Sequence, residues 1–294
     1  MSRCANCGAA EVEGVLVLKS CSACHLVKYC SIKCQKEHRP KHKRDCKERA
    51  AELKDKILFK QPEGSHMDDC PICFLPIPLQ NDLSRMTVCC SKKICMGCTY
   101  FNAIRERKEN LPHKCPFCRQ RSPESAEESL KILKDRAAIK CPVAMRQVGN
   151  LHYQDGDFPT AVDFYTRAAE KDDAVAHKML GEMYNHGKGV ERNLSKAIYH
   201  TEKSAIAGHP VARNNLGAIE LNHGRYDRAV KHWMIAAKAG YDEALENIKK
   251  SFKHGLVSKD DFAAALRSHQ DAVDATKSPQ REEAAEFQTS RRGF

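Results

Sequence analysis

With 294 residues, a formal net charge of +11 and sixteen cysteines, the chain has room for two or three domains and an unusual supply of thiols. Its start, "MSRCANCGAA", lacks a secretory pattern, and no apolar run approaches the ~18–20 residues of a membrane span. These features exclude a secreted disulfide scaffold and a helical membrane protein, and they point to an intracellular chain of the cytoplasm or nucleus whose paired cysteines bind metal.

Fifteen of the sixteen cysteines precede residue 119. Fifteen thiolates on four Zn²⁺ would bring the net charge to about +4, so the basic excess argues little for nucleic acid. The first cluster reads Cys4-x2-Cys7, Cys21-x2-Cys24, Cys30-x3-Cys34 and His42-x3-Cys46. A C-x-x-C pair can chelate from one tight turn, and pairs at i and i+4 share one face of a short helix. Eight ligands suffice for two closed tetrahedral sites, which are structural because no position stays open for water. His25 and His38 are expected to be solvated bystanders once these sites are filled.

The run "YCSIKCQKEHRPKHKRDC" resembles the signature of a MYND zinc finger. The resemblance implies interleaved sites, with Cys4, Cys7, Cys30 and Cys34 on one zinc and Cys21, Cys24, His42 and Cys46 on the other. It also implies a peptide ligand, gripped by the glutamine after the sixth ligand and a tryptophan four residues later. Gln35 is in place, but Arg39 stands where the tryptophan belongs, which weakens the case for the usual peptide groove. We assign this finger to 1–50 and the segment 51–68, helical and charged before its Pro/Gly/Ser end, to a linker.

The second cluster, 69–120, reads Cys70-x2-Cys73, Cys89-Cys90, Cys95-x2-Cys98 and Cys115-x2-Cys118. Adjacent cysteines chelate poorly because successive side chains of extended backbone point to opposite faces, so either a kink brings Cys89 in or His113 takes its place. The spacing resembles the all-cysteine form of the RING finger, whose fourth ligand lies five positions before the fifth, as Cys90 does before Cys95. The resemblance implies a cross-brace, with Cys70, Cys73, Cys95 and Cys98 on a third zinc and Cys89, Cys90, Cys115 and Cys118 on a fourth. It further implies a partner, a ubiquitin-conjugating enzyme, contacted through Ile72, Pro116 and the basic Arg119 that follows the last ligand. The family's tryptophan between the sixth and seventh ligands is absent, leaving Tyr100, Phe101 or Leu111 as substitutes. Cys141, before Pro142, reads as an ordinary structural cysteine.

Beyond residue 121 the chain repeats. Ala144, Ala176, Ala212 and Ala244 recur at spacings of 32, 36 and 32, and Gly149, Gly181 and Gly217 keep step five residues later. Each unit reads as two antiparallel helices. The best unit, "AHKMLGEMYNHGKGVERNLSKAIYHTEKSAIAGHP", resembles a Sel-1-like repeat, a relative of the tetratricopeptide repeat. A leading helix capped by Ser122, with Pro123 in its first turn, opens a solenoid over 122–275, and the charged end, 276–294, is expected to be disordered. Trp233, the only tryptophan, reads as helix-packing core.

The expected architecture is therefore multidomain: two small zinc-stabilised α+β modules followed by an all-α helical-repeat solenoid. The expected function is a RING-type ubiquitin ligase or ligase subunit whose repeats and MYND finger bind protein substrates or adaptors. The alternatives are a non-catalytic interaction scaffold and, less well supported, a chromatin or nucleic-acid factor suggested by the basic run "KCQKEHRPKHKRDCKER". With no triad, phosphate loop or open metal site, the sequence offers no covalent chemistry of its own.

Overall fold

In the computed structural model, which describes residues 2–62, 64 and 66–292, the chain falls into two units, Met1–Lys60 and Gln61–Phe294. The first unit starts with β1 (Lys19–Ser20) and β2 (Lys28–Tyr29), antiparallel with Lys19 opposite Tyr29. Helix α1 (Ile32–Leu58) follows, its first turn capped by the Ser31 hydroxyl, which accepts from the Cys34 N–H. The x3 spacings suggest two short helices and a finger ending at residue 50. Instead one 27-residue helix carries Cys34, His42 and Cys46 and continues through the expected start of the linker. Helix formers such as Ala50, Ala51 and Leu53, and the Arg49–Glu52 pair at 2.8 Å, extend it despite Pro40 in its interior.

The second unit opens with the second cysteine-rich module. A 3-10 turn at Asn81–Leu83 leads into β3 (Ser84–Met86), which pairs antiparallel with β4 (Lys93–Cys95), Ser84 lying opposite Cys95. Helix α2 (Met96–Lys108) follows at once, with the Cys95 sulfur as its N-cap. Ile77 and Ile94 are buried among the cysteines and form nearly all of this module's apolar core.

A leading helix, α3 (Ala126–Ala138), precedes four antiparallel pairs: α4 (Pro142–Gln154) with α5 (Phe158–Ala169), α6 (Ala174–His186) with α7 (Leu194–Ile206), α8 (Pro210–Asn222) with α9 (Tyr226–Lys238), and α10 (Asp242–Lys253) with α11 (Lys259–Asp274). The cap of α3 is Ser125, not Ser122; its hydroxyl accepts from the Glu128 N–H, three residues on, so the start shifts past Pro123. The four periodic alanines are all fully buried. The periodic glycines accept a bulky side chain from the second helix of their own pair. A Cβ at Gly149 would stand 2.9 Å from the Tyr165 ring and one at Gly181 2.7 Å from the Thr201 hydroxyl, while at Gly217 it would overlap Trp233. Small residues at these points let each pair close, and Trp233 is buried core.

Within the charged end, residues 279–292 are helical rather than disordered. Helix α12 (Pro279–Arg292) packs on α2, burying Arg281 and Ala284 and setting Phe287 against Tyr100 with ring centroids 4.9 Å apart. One apolar stripe at helical spacing is enough to fix a helix whose other faces are charged.

Candidate metal centres and docking surface

Four of the C-x-x-C segments fold identically. The N–H of the residue after the second cysteine bonds to the carbonyl of the first, from Gly8 to Cys4 at 2.9 Å, His25 to Cys21 at 2.9 Å, Phe74 to Cys70 at 2.8 Å and Arg119 to Cys115 at 3.0 Å. Each of these donors has left-handed φ, between 54° and 75°. That region suits glycine and strains the other three, so the turn is held by what the two sulfurs share.

The ligand atoms gather into four groups: Cys4, Cys7, Cys30, Cys34; Cys21, Cys24, His42, Cys46; Cys70, Cys73, Cys95, Cys98; and Cys89, Cys90, Cys115, Cys118, each within 4.8 Å of one another. Sulfur–sulfur separations are 3.6 Å for Cys7–Cys30, 3.7 Å for Cys21–Cys46, 3.8 Å for Cys73–Cys95 and 3.9 Å for Cys90–Cys115. A tetrahedron with ~2.3 Å zinc–sulfur bonds has edges of about 3.8 Å, so the donor sets fit zinc in both chemistry and size. Bound there, zinc supplies no reaction; it cross-links chain segments that have little core of their own.

Sulfur crowding also appears in the thiol acidities. Cys70 is held at about 4, first by the hydrogen bond from Cys95 and also by backbone N–H groups of its own turn, while Cys95 is pushed up by the same bond and by burial. Cys4 is lowered to about 6 by the Cys7 and Cys30 backbone N–H groups, and Cys30 is raised to about 12 by its contacts with Cys34 and Cys7. A divalent cation among four such sulfurs relieves this competition for protons.

The adjacent pair Cys89-Cys90 converges because residues 88–90 form a turn and Ser91 adopts a left-handed φ of 56°. The Ser91 N–H donates to the Thr87 carbonyl, and the Thr87 N–H to the Lys92 carbonyl. Arg136 of α3 braces this turn, donating to the Cys89 carbonyl at 2.9 Å and the Ser91 hydroxyl at 3.1 Å. His113 takes no part: its Nδ1 is 2.7 Å from the buried Glu106 carboxylate. Cys141 is the N-cap residue of α4, with its sulfur 3.5 Å from the Ser91 hydroxyl.

In the first unit His25 is exposed, but His38 is not a solvated bystander. Its ring stacks on His42 at 5.7 Å and 11°, and its Nδ1 meets the Tyr29 hydroxyl at 3.0 Å. Gln35 is half-buried and Arg39 exposed on α1.

Of the expected contacts for a conjugating enzyme, Ile72 stands exposed in the turn between Cys70 and Cys73, beside the more exposed Phe74. Pro116 is half-buried in the matching turn, next to the exposed Phe117. Arg119 is exposed, with Nη1 3.3 Å from the Asn102 side-chain oxygen of α2. Of the candidate substitutes for the family's tryptophan, Tyr100 is engaged by Phe287 and by Phe101, and Leu111 is exposed.

Arg281 could not be found from the sequence, because 208 residues separate it from Cys73. Its guanidinium donates to the Cys73 sulfur at 3.3 Å and to the Leu75 and Pro76 carbonyls at 3.1 and 2.6 Å. Against the cost of burying it, the sulfurs of Cys73 and Cys95 in turn favour the charged guanidinium.

Comparison with known proteins agrees with the two ends of the chain. The MYND finger family model matches residues 4–46, and the Sel1 repeat model matches 142–173 and 174–209. The chain is 32% identical to the E3 ubiquitin-protein ligase DA2 of Arabidopsis thaliana over 94 residues, 29% of this chain and 22% of that protein. It is 28% identical to an uncharacterised protein of Neisseria meningitidis serogroup B over 186 residues, 48% of this chain and 39% of that one. The chain thus spans well under half the length of these relatives. A crystal structure of a Sel1 repeat protein from Oxalobacter formigenes is similar at a TM-score of 0.46 and 24% identity, covering 61% of this chain and 73% of that one.

The chain therefore carries a MYND zinc finger at 4–46 ahead of Sel1 repeats at 142–209, within a helical solenoid. None of its described helices is long and apolar enough to cross a membrane.

Proposed function

We propose that the second cysteine-rich module, 69–120, is a RING-type finger holding two of four zinc ions, and that the chain is a ubiquitin ligase or ligase subunit. The observation that carries this reading is the cross-braced grouping of eight cysteines with Ile72 and Arg119 exposed on the two turns that frame it. Similarity to the ligase DA2 supports it. Ile72 and Pro116 dock the conjugating enzyme, and the Arg119 guanidinium bonds both enzyme and ubiquitin, so the finger acts by holding the thioester in a reactive conformation. The repeats select the protein to be modified. MYND and RING modules each hold two zinc ions in closed sites and take no direct part in the chemistry.

The test is autoubiquitination by the zinc-loaded full chain with a panel of conjugating enzymes. Chain formation that Ile72→Ala and Arg119→Ala each lower at unchanged zinc content supports the ligase. A non-catalytic scaffold is the second reading, and it draws on Tyr100, the central-helix aromatic, being covered by α12. No ubiquitin chains from a folded protein carrying four zinc ions would favour it.

A further inference from the structure

A cleft of about 700 Å³ lies between the second cysteine-rich module and the first helices of the repeats. Three buried polar atoms on its wall lack a hydrogen-bond partner: the Nδ1 atoms of His66 and His209 and the hydroxyl of Ser84. Two of these side chains, His209 at 7% and Ser84 at 9% exposure, are at least nine-tenths buried, and the two imidazoles stack with centroids 4.2 Å apart. Native structures rarely leave such groups unpaired, because burial also removes their bonds to water.

The charges inside the cleft are positive. Lys93 places its ammonium 2.9 Å from the Met67 thioether, a weak acceptor for a half-buried cation. Arg146 is buried against Asp173 at 3.1 Å, and Lys178 pairs with Glu182 at the cleft's edge. Burial first, and then the charges of Lys93 and Arg146, disfavour protonation of His66, against a bond to the Gly208 backbone; burial first, and then His66, Lys178, Arg146 and Lys93, disfavour protonation of His209. The remaining acids on the wall, Asp68 and Asp69, are exposed to solvent.

An unpaired hydroxyl and imidazole beside an ammonium that meets only a thioether are the chemistry that accepts an oxyanion. We propose that this cleft binds a protein segment through an oxyanion on one of its side chains, a carboxylate or a phosphate. Lys93 supplies the charge, Ser84 and His209 supply neutral donors, and His66, whose ring N–H is given to the Gly208 carbonyl, stacks on His209 and reports on its occupancy. The cleft has room for a short peptide, and the helices that form its other wall belong to the Sel1 repeats. The proposal rests on the repeats as the partner-binding face and is independent of ligase activity.

Two measurements on the full zinc-loaded chain test it. Long-range proton–nitrogen spectra of the histidine rings are followed during titration with sodium phosphate, with sodium acetate and with sodium chloride at matched ionic strength. Saturable shifts of His66 and His209 with phosphate or acetate, absent with chloride, are expected. Fluorescence anisotropy then compares three labelled peptides of one sequence with phosphoserine, glutamate or glutamine at the centre. At least one acidic peptide should bind about 10-fold or more tightly than the glutamine peptide, and the stronger of the two identifies the oxyanion. Lys93→Met should remove that preference and Lys93→Arg keep it, both with the parent's zinc content and circular dichroism. His209→Leu, away from the zinc ligands, should abolish the ring response of His66 to phosphate. Unsaturable shifts, or equal affinity for all three peptides in parent and Lys93→Met alike, would overturn the proposal. Saturable phosphate binding with no peptide binding would overturn the protein segment as occupant while leaving the repeats' other surfaces and the ligase reading untouched.

Discussion

Individual residues bear on the open point of the second module, Cys89 or His113. Cys89 enters its ligand group because the turn at 88–90 and the left-handed Ser91 turn two neighbouring sulfurs inward, and His113 is held by Glu106 instead. Cys89→Ser should therefore lower bound zinc by at least one ion per chain, measured by elemental analysis, while His113→Gln leaves it unchanged; the reverse result would restore His113 as ligand. Burial, with Lys93 and Arg146 adding to it, pushes His66 down to about 4. An unfolded ring takes up a proton near pH 6.5 and the folded one does not until about 4, so the unfolded state binds more protons between those values. This contribution to stability is fully present above ~6.5 and is lost as pH falls toward about 4. The drop in urea midpoint from pH 7 to pH 5 should consequently shrink in His66→Gln; an undiminished drop would show that the ring titrates normally. The geometry of C-x-x-C pairs is local, which made the four clusters legible from spacing. Glu106 as the partner of His113 depends on how α2 is oriented, and spacing does not encode that.

Among the elements, helix pairing follows small residues. The periodic glycines were legible as a repeat, but their purpose became visible only with Tyr165, Thr201 and Trp233 seated against them from the partner helix. Gly217→Ala should destabilise the repeats by about 1–3 kcal/mol in urea unfolding, because a methyl group there meets the Trp233 indole. A change below the error of the measurement would mean that α9 shifts freely. Composition misled at two places. Charge hid the stripe that makes α12 a helix, and the x3 spacings suggested short helices where α1 is continuous. Arg281 ties α12 to the Cys73 sulfur and to two carbonyls of the first docking turn, as outer-shell donors do around metal ligands. Arg281→Ala should speed zinc transfer from the second module to a colorimetric chelator by about 10-fold or more, with the MYND sites unaffected. Equal rates for all sites in variant and parent would show the contact to be incidental.

For the whole molecule, two modules with little apolar core should depend on metal, and a solenoid with buried alanine, leucine and aromatic layers should not. Chelator should expose 1–120 to trypsin while the helices of 142–274 persist by circular dichroism, since structural zinc contributes on the order of 10–16 kcal/mol in comparable fingers. Loss of most helical signal on chelation would contradict this independence. The central claim is that the second module positions a ubiquitin thioester, and single-turnover discharge of a loaded conjugating enzyme onto free lysine tests it most directly. The account predicts that the full chain accelerates discharge, that Ile72→Ala loses both binding and acceleration, and that Arg119→Ala retains binding but loses most of the acceleration. Discharge at the rate of the conjugating enzyme alone, across a panel and with zinc sites filled, would contradict it.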